Sequence, residues 1–142
     1  MKLSTKGQYA VIAMVDIALN GTGAPVRLSE IAERQKLSIS YLEQLFNKLR
    51  RHGLVNSVRG ATGGYILAGA AEDIKLSQIM DAVDELVKTT RCGSGTKKSC
   101  LGLSEKCLTH HMWCGLADHI RDYLSAVSLK DVCEQRDHRE AA

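Results

Sequence analysis

Five cysteines and five histidines stand in this 142-residue sequence, and most of them gather in one stretch. Cys92, Cys100 and Cys107 follow one another with seven and then six residues between them, and His110, His111 and Cys114 come directly after. Thiols and imidazoles grouped in this way point to metal chemistry rather than disulfides. Zinc ribbons and fingers pair their cysteines two to four residues apart, so the spacing matches zinc poorly. Wide gaps of small and flexible residues suit ligands that wrap a larger group, and iron–sulfur clusters are held mainly by cysteine thiolates, occasionally with histidine. On a helix, His110 and His111 both share a face with Cys107, while Cys114 lies two turns away. Position therefore leaves the fourth ligand open. Cys114 and Cys133 also read as ordinary buried thiols. Lys97, Lys98 and Lys106 lie near the thiols in sequence and favour the thiolate form.

A second set of residues offers phosphate and base recognition. The net charge of +3 hides an asymmetry: residues 1–65 carry nine Lys/Arg and four Asp/Glu, and the remainder ten and twelve. No acid occurs between Glu43 and Glu72, and that gap holds Lys48, Arg50, Arg51 and Arg59 with His52. A local basic field on a nearly neutral chain is the footprint of a phosphate-binding face, or else a solvated helix face. The exposed side of the helix expected over Tyr41–Arg51 presents Ser40, Glu43, Gln44, Asn47 and Arg50. Glutamine contacts adenine and arginine contacts guanine in bidentate fashion, and glutamate accepts from the cytosine amino group. Ser38, Ser40, Tyr41 and the helix N-terminus suit phosphate. Ser40-x-x-Glu43 is equally a capping-box pattern, in which Glu43 folds back onto the helix start. Arg59 precedes Gly60 at a loop tip, where arginine enters a narrow minor groove; the glycines there also satisfy turn geometry.

The elements that must position these residues are mostly helical. Thr5–Leu19 reads as a buried helix with Ser4 or Thr5 as cap, and Leu28–Lys36 as a short second helix with Ser29 near its start. The third, Tyr41–Arg51, places Leu42, Leu45, Phe46 and Leu49 at the spacing of one helical face and ends at Gly53. Leu54–Val58 and Tyr65–Leu67 flank the glycine-rich loop Arg59–Gly64 and read as a hairpin. A short helix over Leu76–Val83 is capped by Ser77 or a neighbour. Thr89–Leu103 reads as a functional or disordered loop. A long amphipathic helix over Ser104–Val127 suits pairing with a second copy. Ser128-x-x-Asp131 opens a last short helix, with Gln135–Ala142 frayed. Three short helices and a hairpin are the winged helix-turn-helix order, which sets the third helix in the major groove.

The composition agrees with a mainly α fold carrying one small β-hairpin. Aromatics are 4% and proline occurs once. A hydrophobic share of 44% with 25% charged residues excludes pervasive disorder and collagen-like character. The longest apolar stretch, Tyr9–Leu19, is broken by Asp16 and is too short to span a bilayer. No signal-peptide order is evident at the start, so a cytoplasmic location and no membrane partner are expected. Neither paired carboxylates nor a nucleophile–base motif is present, which argues against an enzyme.

Several segments together resemble the IscR family, bacterial regulators of iron–sulfur cluster assembly with a winged helix. They are Lys2–Ala10, Ser38–Phe46, Ser57–Gly60 with Gly63-Gly64-Tyr65, Thr90-Arg91-Cys92 and Cys107-Leu108-Thr109-His110, and the likeness runs to about residue 133. The resemblance implies a [2Fe–2S] cluster on Cys92, Cys100, Cys107 and His110, supplied by the cluster assembly machinery. It implies a homodimer joined through the long helix and bound to double-stranded promoter DNA. It further implies that Glu43 and its neighbours read bases, with Arg59 in the wing, and that cluster occupancy selects the promoter. Two departures stand out: the gaps between the cysteines are longer than the family pattern, and Ala61-Thr62 stand where the family usually shows Pro-Gly. The expected organisation is a DNA-binding domain over 1–84, a cysteine-rich cluster loop over 85–103, a dimerisation helix over 104–127, and a short helix and tail over 128–142. Two alternatives from the same residues are a zinc-stabilised or thiol-redox DNA-binding regulator and a cluster-carrier protein.

Overall fold

The computed structural model describes residues 3–85, 87 and 107–140. The expected loop over Thr89–Leu103, with Cys92, Cys100, Lys97 and Lys98, and also Lys106, lie outside the described residues. The elements are α1 (Thr5–Asn20), α2 (Leu28–Gln35), α3 (Ile39–Arg51), β1 (Val55–Val58), β2 (Gly64–Leu67), α4 (Leu76–Ala82), α5 (His110–Ala126) and α6 (Leu129–Glu140). The order of three helices and a hairpin is as the sequence predicts, and the fold is mainly α with a winged helix-turn-helix.

Helix α1 supplies the centre of the core because small and apolar residues recur along one side, with Ala10, Ala13, Met14 and Ile17 buried. They meet Ile31 of α2, Leu42, Phe46 and Leu49 of α3, and Ile79 of α4, all fully buried. Leu129 at the start of α6 closes the same cluster. Burying side chains of this size contributes about 1.5–3 kcal/mol each.

The hairpin pairs Val55 with Leu67, Asn56 with Ile66, Ser57 with Tyr65 and Val58 with Gly64 in antiparallel register. Val26, between α1 and α2, adds a one-residue third rung by exchanging two backbone hydrogen bonds with Tyr65, at 2.9 and 2.8 Å. Gly64 is required there, since a Cβ would fall 2.4 Å from the Val26 carbonyl oxygen. The Tyr65 ring lies 4.9 Å from that of Phe46, which fixes the wing against α3.

Three local expectations are corrected and one is sharpened. Ser4 occupies the cap position of α1, but its side chain makes no cap bond to that helix. Its hydroxyl and its N–H donate to Glu85, and Gly7 N–H donates to the same carboxylate at 3.3 Å, so a distant acid satisfies the helix start. The cap position of α4 falls close by at Lys75 rather than on Ser77 itself, and that of α2 at Arg27 with Ser29 in the first turn as expected; Glu30 and Gln78 accept back from the cap N–H groups at 3.1 and 2.8 Å. Helix α5 begins at His110 rather than Ser104, because Thr109 takes the cap position and Cys107–Thr109 forms a turn. Finally, α6 stays helical to Glu140, where fraying from Gln135 was expected. Its Ser128–Asp131 capping box is reciprocal, at 2.8 and 3.1 Å, and Glu, Gln and Arg carry the later turns at little propensity cost. Among the described residues no helix is long and apolar enough to cross a membrane.

Candidate functional site

Helix α3 turns its apolar stripe of Leu42, Leu45, Phe46 and Leu49 inward. The 3.6-residue repeat therefore sends Ser40, Glu43, Gln44, Asn47, Arg50 and Arg51 to one continuous face, and all six are exposed. The helix start is capped by Ser38, whose hydroxyl accepts from Tyr41 N–H at 3.4 Å and lies 2.9 Å from Ser40 Oγ. The capping-box reading of Ser40 and Glu43 is thereby set aside. Glu43 makes no hydrogen bond or ion pair among the described residues, so its carboxylate is available to an external donor.

Two contacts orient this face. Tyr41 meets Tyr9 of α1 edge-on at 5.9 Å. Behind Arg51, Gly53 adopts a left-handed φ of 73°, and Leu54 N–H donates to Leu49 O at 3.0 Å. This is a Schellman end, and it turns the chain directly from α3 into the wing. Arg59 and Gly60 then stand exposed at the wing tip, where Gly60 has φ 116°. The tip closes on itself through Gly63 N–H to Gly60 O at 3.0 Å. Arg27 donates from its guanidinium to the Ala61 carbonyl and so braces the tip from the start of α2. Sequence reading did not single out Arg27, since nothing in its spacing relates it to a loop 34 residues away.

A buried polar contact stiffens the frame behind α3. Asp16 of α1 accepts two hydrogen bonds from Arg34, at 3.0 and 2.7 Å, and one from Gln35 at 2.9 Å. Burial raises the proton affinity of this carboxyl, but the Arg34 and Gln35 hydrogen bonds and the Arg34 charge outweigh it, and its pKa lies below the ordinary carboxylate value.

The metal-ligand expectation is described only in part. Cys107 sits on the turn before α5, and its carbonyl accepts from His110 N–H at 3.1 Å. The argument that Cys107 shares a helical face with the two histidines does not apply, because Cys107 is outside the helix. His110 is the first helical residue, and its Nε2 lies 3.5 Å from Cys114 Sγ. His111 is exposed and stacks edge-on to His110 at 5.5 Å between ring centres. Among the described residues no three potential ligands converge on one point.

Helix α5 has no buried residue, and Met112 and Tyr123 are 55% and 60% exposed. It touches the rest of the molecule mainly along α4, where Leu124 packs on the core. Its other apolar positions, among them Met112 and Leu116, are left without full cover.

Comparison with known proteins gives this arrangement a context. Residues 3–135 match the Rrf2 family, described as iron-dependent transcriptional regulators. The HTH-type transcriptional regulator IscR of Photorhabdus laumondii is 46% identical over 142 residues, covering all of this chain and 85% of the relative. IscR of Escherichia coli O1:K1 is 47% identical over 137 residues, covering 96% and 83%. Among solved structures, T. potens IscR superposes with a TM-score of 0.80 at 39% identity, over 100% of this chain and 93% of that one. CymR, the global cysteine regulator of B. subtilis, gives 0.79 at 30% identity, over 95% and 98%. The winged helix, the exposed α3 face and these likenesses agree: the chain belongs to the Rrf2 family of iron-dependent transcriptional regulators.

Proposed function

We propose that this regulator binds promoter DNA as a homodimer and senses iron–sulfur cluster status, controlling genes of cluster assembly through a [2Fe–2S] cluster. The observation that carries the reading is the α3 face, where Glu43, Gln44 and Asn47 stand exposed between a capped helix start and the basic pair Arg50 and Arg51. In this role Glu43, Gln44 and Asn47 meet base edges, while Ser38, Ser40, Tyr41, Arg50 and Arg51 hold the phosphate backbone. Arg59 with Gly60 at the wing tip reaches the minor groove.

Cys92, Cys100, Cys107 and His110 hold the cluster in this reading. The described half of the set fits by chemistry: a thiol on a turn and an imidazole at the first position of a helix, both partly exposed and both donors that suit iron. The cluster, when bound, supplies a centre whose presence depends on iron and sulfide supply. The chain's part is to place its ligands where α5 begins, so that ordering them bears on the helix that pairs with a second copy. Exposed Met112 and Tyr123 support that pairing.

The test is anaerobic purification with visible absorption and iron–sulfide analysis, followed by DNA footprinting with and without cluster. A red-brown protein with two irons and two sulfides per chain, and protection patterns that differ between the states, are expected. Equal affinity and equal site preference in both states overturn the sensing role. Glu43→Ala is expected to change the preferred site with stability held to within about 0.5 kcal/mol.

A further inference from the structure

The four basic residues of the acid-free stretch do not stand alike. Arg50, Arg51 and Arg59 make no side-chain hydrogen bond or ion pair among the described residues. Lys48, on the flank of the same α3 face, is held: its Nζ lies 2.9 Å from Oδ2 of Asp84. Asp84 is placed there by the end of α4 and not by its own side chain. It has a left-handed φ of 58°, its N–H donates to Asp81 O at 3.2 Å, and the next N–H, from Glu85, donates to Met80 O at 2.9 Å. Glu85 in turn is buried against the start of α1 through Ser4 and Gly7. The Asp84 carbonyl also accepts from Lys6 Nζ at 3.4 Å. One residue thus offers a carboxylate and a carbonyl to two lysines, on backbone pinned from both sides. Its carboxyl is held below the ordinary value by the Lys48 hydrogen bond and charge, with Lys6 and His52 adding to the effect.

We propose that Asp84 is an internal counterion of the DNA-docking face: it occupies Lys48 where a phosphate oxygen would otherwise sit, and so tunes how strongly the face binds any duplex. This rests on the DNA-binding reading above. The pair is exposed on both sides, at 41% and 70% for the two side chains, so Lys48 stands at the surface a duplex would meet with Asp84 already beside it. An acid fixed in a basic patch lowers sequence-independent attraction while leaving base contacts from Glu43, Gln44 and Asn47 untouched. Non-specific binding comes almost wholly from phosphate contacts, so it is the quantity on which this acid is read most directly.

The test uses the full chain and a labelled duplex of mixed sequence, with affinity measured against salt. Asp84→Asn removes the charge and keeps a side chain that tolerates positive φ. It is expected to steepen the dependence of log affinity on log salt by about one phosphate contact, which is about a threefold larger loss between about 50 and 200 mM salt. Lys48→Met in the Asp84→Asn background is expected to return the slope to that of the parent. An unchanged slope in Asp84→Asn, or a steepening that survives Lys48→Met, overturns the masking role. If Asp84→Asn does not fold, Lys48→Met in the parent decides. A slope within about 0.3 of the parent supports masking, and a loss of a full contact shows that Lys48 is not masked. Absence of binding to any duplex by the parent overturns the DNA reading itself and this proposal with it.

Discussion

At the scale of single residues, Asp16 is a buried acid on which the frame depends. Its side chain is fully buried and that of Arg34 is 38% exposed. The two partners are therefore unequal: without Asp16, Arg34 turns to water, but without Arg34 the carboxylate is left buried with Gln35. Arg34→Ala is expected to cost about 3 kcal/mol near neutral pH, read from urea unfolding. The pH dependence follows from the lowered pKa. A depressed carboxyl contributes stability that is present above its ordinary value of 3.8 and is lost as pH falls through the lowered one. In Arg34→Ala the Arg34 charge and hydrogen bonds no longer oppose burial and only those from Gln35 and Asn20 remain, so the carboxyl rises and acid stabilises the variant relative to the parent. The gap between the two is expected to narrow below about pH 4. None of this is legible in the sequence, where Asp16 only interrupts an apolar helix and its partner lies 18 residues away in another element. Glu43 shows the opposite limit: the sequence offers two roles, and the choice turns on Ser38 already holding the cap.

At the scale of elements, legibility tracks how local the determining force is. The bounds of α3 and the hairpin follow from an apolar repeat and a glycine-rich turn, both written in consecutive residues, and they match the structure within about two residues. The start of α5 does not follow in this way. The four-residue apolar recurrence continues back through Leu108, yet Leu108 is fully exposed and Thr109 stops the helix one residue later. Thr109 Oγ1 accepts from the Trp113 indole at 3.1 Å, an interaction no period reports. The turn that ends α3 needs the left-handed backbone of Gly53. Nothing lies within 4 Å of a Cβ added there, so any penalty for a side chain comes from its φ of 73°. Gly53→Ala is expected to lower stability by about 1 kcal/mol and to weaken DNA binding by disturbing the step from α3 into the wing. Thermal unfolding beside a binding titration separates the two effects.

At the scale of the whole molecule, α5 is a helix without an interior. Helical stability in proteins comes mainly from packing an apolar face, and this face is only partly covered. In the proposed homodimer a second copy laid along it would complete the burial, with the same patch contributed by both chains. Met112→Glu is therefore expected to convert a dimer into a monomer of 15.5 kDa in sedimentation, with the core of the single chain intact because Met112 is 55% exposed there. A monomeric parent chain would remove the basis for paired half-sites.

The far end of α5 is also stitched to the DNA-facing module. Lys75 and Ser128 form an antiparallel bridge, Leu76 N–H donates to Val127 O at 3.0 Å, and Leu129 N–H donates to Ile74 O at 2.8 Å. Two backbone segments, Ile74–Leu76 and Val127–Leu129, are tied together there, so α5 cannot swing freely against α3. In a symmetric pair this makes the molecule a gauge of fixed length, with the two reading heads at a set separation and a set rotation about the duplex. Its operators would then be constrained by spacing as strictly as by letters. A half-turn insertion of about five base pairs between half-sites would carry the second one round to the far side of the DNA.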